Sequence, residues 1–560
     1  MTIPRILIAG LRGGGGKTLT SLAVTAAWRK RGWNVAPFKK GPDYIDAAWL
    51  SMAAGRPCRN LDLFLMSPAT IVRSFATWAS AGTVPIFGTG TVGHRREALV
   101  GTVGHKNGTV PFCVPDVALI EGNRGLYDGM DARGTCSTAE LAKLLHCPVV
   151  LTVDCVKSTR TVAACVLGCQ RADPEVSIQG VILNQTAGPR HESVLRDAIA
   201  EMCGLPVLGA VPRLADEIFP ERHLGLVPPQ EHDHVARAIE RVAELGEQYL
   251  DLQALERIAH QAPAVTGVGD WGLGIGDQCQ LANSNPQSPI AHPSSLIPRP
   301  SEAARIGVFR DAAFQFYYPE NLEALIREGA RLVEISPMTD RELPEVDALY
   351  LGGGFPETSA PVLAENQSFL RSLRQLIERG LPVYAECGGA VYLGRTLTFH
   401  DHRYPMAGVL PVDFAFGLKP QGHGYAVLKT VESNPFYPVG EPLRGHEFHY
   451  TYIQPAQAEG LTFAFRVVRG HGFDGQHDGL CHRNVLASYM HVHALGIGSW
   501  APSLVRAAVE FRSTSATEGC PADTAIPVCA QGDRHIFRPS GVCKEDDEPG
   551  RKMSQSPAAS

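Results

Sequence analysis

The sequence lacks a Cys-x-x-Cys pair, a run of about 18 apolar residues and an excess of positive charge. Each absence removes a class of protein. The 14 cysteines are scattered, and Cys520, Cys529 and Cys543 have spacing unlike a zinc site. Cys147, Cys155 and Cys165 fall in apolar runs and read as buried thiols in a reducing compartment. Without a long apolar run a membrane span is not expected. With a net charge of −6 there is no global basic field for nucleic acid. The N-terminal residues Met1-Thr2-Ile3-Pro4-Arg5 lack the basic start and apolar core of a signal peptide, so a cytoplasmic location is expected. What remains is 560 residues, 44% hydrophobic and 19% charged, enough for two or three globular domains.

The most informative stretch is Ile6-Leu7-Ile8-Ala9-Gly10-Leu11-Arg12-Gly13-Gly14-Gly15-Gly16-Lys17-Thr18. It reads as a strand, a glycine turn and a helix start, followed by an amphipathic run from Leu19 to Trp28. Gly13, Gly14, Gly15 and Gly16 have no Cβ, so their N–H groups can wrap a phosphate at a helix N-terminus. Lys17 would reach the β- and γ-phosphates of ATP, and the Thr18 hydroxyl would hold Mg²⁺. The pattern departs from G-x-x-x-x-G-K-[ST] at Leu11, and a plain flexible turn is the alternative.

Residues 1–245 alternate strands and helices, which argues for a parallel sheet. Candidate strands are Ile6–Ala9, Val35–Phe38, Val117–Ile120, Val149–Val153 and Val181–Leu183. Ligand sites in such sheets lie at the carboxyl ends of the strands. There the sequence offers Lys39, Lys40, Asp43 and Asp46, then Glu121, Asp154 and Asn184. Asp43 and Glu121 are candidate Mg²⁺ ligands beside Thr18, although the 39–46 stretch could equally be an ordinary charged loop. The Asn184 amide suits a nucleobase edge. Residues 83–112 carry Gly90-Thr91-Val92-Gly93-His94 and Gly101-Thr102-Val103-Gly104-His105, and read as an inserted surface loop whose histidines belong to a solvated repeat.

Residues 246–303 are expected to be a linker, rich in Gly, Pro, Ser and Asn from about 262. A second alternating unit over 304–512 has strands at Ile306–Phe309, Arg331–Ile335, Ala348–Leu351 and Val383–Ala385, with helices at Asn321–Glu328 and Ser368–Glu378. Residues 513–560 read as a disordered tail. Within the second unit, Val383-Tyr384-Ala385-Glu386-Cys387-Gly388-Gly389 places a cysteine at a sharp strand-to-helix turn. The helix dipole there would lower the thiol pKa, and the Gly388 amide, with Gly353 and Gly354, would form an oxyanion hole. On its own Cys387 could equally be a buried thiol; the flanking glycines favour a nucleophile. Histidines at 446, 449, 491 and 493 offer a base.

Several stretches together resemble the cobyrinic (or hydrogenobyrinic) acid a,c-diamide synthases of cobalamin biosynthesis. They are Phe38–Asp46, Glu121-Gly122 with Gly125–Gly129, Glu221–Leu226, Arg310–Phe314 with Tyr317–Asn321, and Gly445–Tyr450. The resemblance implies an α/β protein with a dethiobiotin-synthetase-like P-loop ATPase domain, then a flavodoxin-like class I glutamine amidotransferase domain. It implies Cys387 as nucleophile and His491 as base. The partners it implies are ATP, L-glutamine and a corrinoid or related tetrapyrrole, with Mg²⁺; a homodimer is left open. Three departures stand out. His491-Val492-His493 replaces the His-Pro-Glu of other class I amidotransferases, Leu11-Arg12 replaces the usual start of the phosphate loop, and Asn123-Arg124 replaces a small or apolar pair. Nickel-sirohydrochlorin a,c-diamide synthase and cobyric acid synthase are the nearest alternatives. CTP synthase shares the plan but would need His-Pro-Glu, and a MinD-type ATPase switch would leave Cys387 without a task.

Overall fold

Parallel strands of largely apolar residues form sheets buried on both faces, and the central parallel strands of both halves of this chain are built that way. The computed structural model describes residues 3–80, 83–85, 109–111, 114–214, 221–222, 225–232, 234–265, 303–454 and 461–518. In the first half, seven strands are labelled here: β1 (Arg5–Gly10), β2 (Val35–Lys40), β3 (Arg59–Leu61), β4 (Val117–Glu121), β5 (Val149–Asp154), β6 (Ile178–Thr186) and β7 (Val207–Pro212). They pair in the order β3-β2-β4-β1-β5-β6-β7, all parallel. The period of two is visible in the packing. Leu7, Phe38, Ile120 and Leu151 enter one core, while Ile6, Ile8, Leu119 and Val150 enter the core on the opposite face.

Helix α1 (Lys17–Lys30) was expected to keep one polar face, but it is buried without a break from Thr20 to Trp28. The cause is a second helical layer. Helices α2 (Ile45–Ala54) and α3 (Val235–Tyr249) lie against it, and a Cβ on Gly246 would sit 2.5 Å from the Ala23 carbonyl. Its position lets two backbones approach closely. Helix α4 (Leu252–His260) follows and packs on β1, with its N-cap Asp251 accepting from Ala254 N–H. So the expected linker starts too early at 246; residues through Ala262 belong to the first core.

The second half has a ten-stranded mixed sheet. Its strands are β8 (Arg305–Phe309), β9 (Arg331–Ile335), β10 (Ala348–Leu351), β11 (Val383–Glu386), β12 (Gly422–Thr430), β13 (Pro442–His449), β14 (Thr462–Arg469), β15 (His477–His482), β16 (Val485–Ser488) and β17 (His491–Val492). The order is β9-β8-β10-β11-β16-β15-β14-β12-β13-β17. The first five strands are parallel and the rest antiparallel, which carries β13 and β17 round beside the tip of β11. A four-stranded sheet of His402–Pro405, Thr396–Phe399, Asp413–Phe416 and Thr451–Ile453 stands alongside.

Both halves lie in one compact unit, Met1–Thr514. Of the expected insertion, Thr83–Pro85 and Thr109–Pro111 pair as antiparallel strands; His94 and His105 fall outside the described residues. The final helix, Trp500–Glu518, runs past the expected start of the tail at 513, and 519–560 lie outside the described residues. Among the described residues no helix is long and apolar enough to cross a membrane.

Candidate functional site

The turn between β1 and α1 uses its glycines for conformation and for space. Gly14 and Gly16 have φ of 69° and 92°, and a Cβ on Gly16 would lie 2.1 Å from Asn184 Nδ2. Asn184, at the tip of β6, donates from Nδ2 to the Gly15 carbonyl at 3.3 Å. One side of the amide therefore holds the loop. Lys17 is buried, with Nζ donating to the Arg12 carbonyl at 3.3 Å; burial and then Lys39 lower its pKa. Arg12 reaches across to Asp154 at the tip of β5 and pairs with its Oδ2.

Beside this loop is a knot of charge. β2 and β4 pair with Lys39 opposite Glu121, so the two side chains leave the same face together. Lys39 Nζ lies 2.7 Å from Glu121 Oε1, 2.6 Å from Asp46 Oδ2 and 3.8 Å from Asp43 Oδ2. Thr18 Oγ1 donates to Glu121 Oε1 at 2.8 Å and lies 3.3 Å from Asp46 Oδ2. Asp46 thus stands nearer to Thr18 and Lys39 than Asp43, which caps the turn by accepting from Asp46 N–H at 2.9 Å. Burial raises Glu121 to about 7 against the pull of Lys39, and burial with the neighbouring Asp46 raises Asp43 to about 6. Asp46 moves down, because Lys39 outweighs its burial. Burial opposes the charge of Lys39, yet Asp46, Glu121 and Asp43 hold its pKa well above the ordinary value.

This donor set fits a hard cation. It offers one hydroxyl and carboxylate oxygens, and Glu121 Oε2 is buried without a hydrogen-bond partner. Among the described residues no three His, Cys, Asp or Glu side chains form a ready cage. Mg²⁺ needs none, since it is held by one or two carboxylates together with water and nucleotide phosphates.

In the second half, Cys387 has φ 45° and ψ −103°, at the turn from β11 into the helix Gly388–Leu393. A bulky residue in that region is strained, and the Cys387 N–H is fixed on the Ser488 carbonyl at 2.7 Å. Gly388 and Gly354 meet closely: a Cβ on Gly388 would lie 3.0 Å from Gly354 N. Gly353 instead packs against the His491 ring, since a Cβ there would lie 2.4 Å from His491 Cε1. The expected fall in the thiol pKa does not occur. Burial, with Glu357, pushes Cys387 up, and the Gly388 N–H only partly opposes this. A single short helix cannot outweigh the desolvation of a buried thiolate.

His491 is buried; its Nδ1 is 3.4 Å from Glu386 Oε2, and its ring stacks on His446 at 4.9 Å. His446 lies far below its ordinary pKa through burial and its neighbours His491 and His493. His493 turns towards the first half: it stacks on Tyr318 at 4.5 Å, and burial with Arg59 lowers it to about 3. Arg59 of β3 is itself buried, 2.5 Å from Glu323 and 3.8 Å from Glu320.

A single cavity of about 1000 Å³ joins the two halves. Gly14, Gly16, Lys17, Thr18 and Asn184 line one end; Gly354, Cys387, Gly388 and His491 line the other. Tyr44, next to Asp43, bridges them with its ring 5.1 Å from Phe316 and 5.4 Å from His491. That Asp46 is the closer acid, that Tyr44 lies over His491 and that Glu386 faces it are not legible in the sequence; only the tertiary structure says which way these side chains face.

Comparison with known proteins agrees with this division. Residues 6–226 match the family model described as CobQ/CobB/MinD/ParA nucleotide binding domain, and residues 305–497 match the CobB/CobQ-like glutamine amidotransferase domain. A cobyrinate a,c-diamide synthase of Magnetococcus marinus is 40% identical, over 90% of this chain and 97% of its own length. Those of Archaeoglobus fulgidus and Methanothermobacter thermautotrophicus are 36% and 37% identical, over 91% and 90% of this chain and 98% and 100% of their own lengths. The chain belongs to the cobyrinate a,c-diamide synthase family of glutamine-dependent ligases.

Proposed function

We propose that this enzyme uses ATP and glutamine to convert the a and c acetate carboxylates of cobyrinic or hydrogenobyrinic acid to amides. The observation that carries this reading is the one cavity that reaches from Lys17 and Thr18 to Cys387 and His491. Lys40, Arg124, Arg213 and Arg469 also line it, as a large substrate with many carboxylates requires.

At the second-half site the Cys387 sulfur, its proton passed to His491, attacks the carboxamide carbon of glutamine. The C–N bond breaks, ammonia leaves, and water hydrolyses the glutamyl thioester to glutamate. The raised thiol pKa makes His491 necessary, because little thiolate exists at neutral pH without an acceptor. Amides of Gly354 and Gly388 would hold the oxyanion, with Gly353 giving His491 room. At the first-half site, a substrate carboxylate attacks the γ-phosphorus of ATP and ADP leaves. Ammonia then attacks the acyl carbon and phosphate leaves. The loop amides and Lys17 bind the phosphates. Thr18, Glu121, Asp46 and Asp43 would hold Mg²⁺, which supplies charge neutralisation at the phosphates. Asn184 keeps one side of its amide for the nucleotide.

The division predicts a clean result. Cys387→Ala should abolish glutamine-dependent amidation while ammonium salts still support it. Loss of both activities in a folded variant would overturn the two-site scheme. Assays with cobyrinic acid, hydrogenobyrinic acid and nickel-sirohydrochlorin identify the preferred ring.

A further inference from the structure

Class I amidotransferases with His-Pro-Glu carry a carboxylate two residues after the base; here that position is His493. His493 is no substitute. Its Nδ1 accepts from Leu495 N–H at 3.2 Å, and its Nε2 lies 3.8 Å from Glu320. It serves the boundary between the two halves, and its lowered pKa leaves it neutral. His446 stacks on His491 but is neutral too. Tyr44, the remaining ring over His491, offers no charge either. An imidazolium formed at His491 would need an acid from elsewhere.

We propose that Glu386, the residue immediately before the nucleophile, is the carboxylate that orients His491 and balances the charge it gains when it takes the Cys387 proton. Glu386 has no exposed surface. A buried carboxylate normally sits beside Lys or Arg. Among the described ion pairs Glu386 has neither, and its one partner is His491 Nδ1 at 3.4 Å. At that separation Nδ1 makes no hydrogen bond, and the contact would have to shorten towards the about 2.8 Å of a charged hydrogen bond as the reacting complex forms.

The rest of the carboxylate is fixed. Oε1 accepts from Val492 N–H at 3.2 Å, and Oε2 accepts from the Tyr350 hydroxyl at 3.2 Å. Asn321 locks both supports. Its Nδ2 donates to Tyr350 Oη at 3.2 Å and to the Val492 carbonyl at 2.9 Å, while its Oδ1 accepts from Ala494 N–H at 2.7 Å. β17 and the tip of β11 are thereby held in register around His491. A carboxylate on Nδ1 fixes the tautomer that leaves Nε2 free to accept a proton. Gly353 allows this placement, since any Cβ there would strike the imidazole. A bland alternative is that Glu386 only caps the Val492 N–H. A glutamine could do that equally well, and this is what the test exploits.

This inference deepens the glutaminase reading above and rests on it. The full-length Glu386→Gln variant keeps the shape and the Val492 bond but loses the charge. Its glutaminase kcat should fall about 10- to 1000-fold with the KM for glutamine within about threefold, while ammonium-driven amidation persists. Alkylation of Cys387 by iodoacetamide should need a pH higher by about one unit, near tenfold slower at pH 6.5, because less thiolate–imidazolium pair forms. Glu386→Asp should recover part of the kcat. A kcat within about twofold of the parent with an unchanged alkylation profile overturns the assignment. If Glu386→Gln also loses ammonium-driven activity, Tyr350→Phe decides. The same alkylation shift, smaller, supports the proposal; no shift and no loss of kcat overturns it. Cys387→Ala separates the two levels: if it still hydrolyses glutamine the glutaminase reading fails, whereas an inert Cys387→Ala beside a fully active Glu386→Gln removes only the role of Glu386.

Discussion

The two ends of the cavity handle charge in opposite ways. At the phosphate end, Lys39 stands among three carboxylates, Asp46 and Glu121 at hydrogen-bond distance and Asp43 at 3.8 Å, with Lys17 nearby, so opposite charges are already paired. At the thiol end, burial favours the neutral forms of Cys387, His446 and His493, Glu386 faces His491, and Glu447, lowered against its burial by His449 and the amides of Gly472 and His471, is held away from that pair. The difference follows from the reactants. In the proposed reaction ATP and a metal would arrive charged and need opposite charges already in place. Glutamine's carboxamide is neutral, and charge appears there only as the proton leaves sulfur. A permanent ion pair between Cys387 and His491 themselves would cost desolvation before any reaction began.

The largest test of that contrast removes one charge from the phosphate end. Glu121→Gln should lower amidation by about 100-fold or more with either glutamine or ammonium as nitrogen source, because the group beside Thr18 and Lys39 is lost. Glutaminase activity, assayed alone, should stay within about twofold. An equal loss of glutaminase would show that the two ends do not separate charge as argued.

A middle-sized effect is expected at the boundary. Glu320 is buried, neither carboxylate oxygen has a hydrogen-bond partner, and burial raises it to about 7 from 4.5 despite Arg59. The folded protein therefore holds this proton more tightly than the unfolded chain. Glu320 contributes its full stability below about pH 4.5 and loses it as the pH rises through about 7. Glu320→Gln keeps the shape and cannot ionise. It should raise stability by roughly 2 kcal/mol at pH 8 and by little at pH 5, seen as a Tm gain that grows with pH. A gain independent of pH would place the cost elsewhere.

Which parts of this were legible in the sequence follows from their physics. Largely apolar strands and the polar residues at their tips are local patterns, so all nine expected strands form, with Lys17, Thr18 and Asn184 lining one end of the cavity and Glu121 bonded to Thr18. Desolvation is not local. Nothing beside Cys387 in the chain reveals that burial outweighs a helix dipole, so the direction of its pKa is not legible there. Position alone cannot separate Asp43 from Asp46 either, since one turn decides which acid reaches Lys39. Glu386 does not stand out in the sequence, because a residue in a buried strand reads as structural until β17 is brought against it. Helix α4 is hidden in the expected linker by its neighbour in sequence, which from about 262 carries the strong Gly-Pro-Ser signal.

The smallest effect is expected where the phosphate loop departs most from its usual pattern. Arg12 pairs with Asp154, but its side chain is 70% exposed, and water and salt screen such a pair. It carries charge at the rim, outside the buried knot around Lys39. If charge matters at this end because it is desolvated, Arg12→Ala should change the KM for ATP by no more than about threefold, and less at high salt. A loss of tenfold or more would mean that Arg12 acts on the phosphates directly. The charged end would then extend through the loop to the tip of β5, and the contrast with the thiol end would rest on the number of charges instead of on their burial.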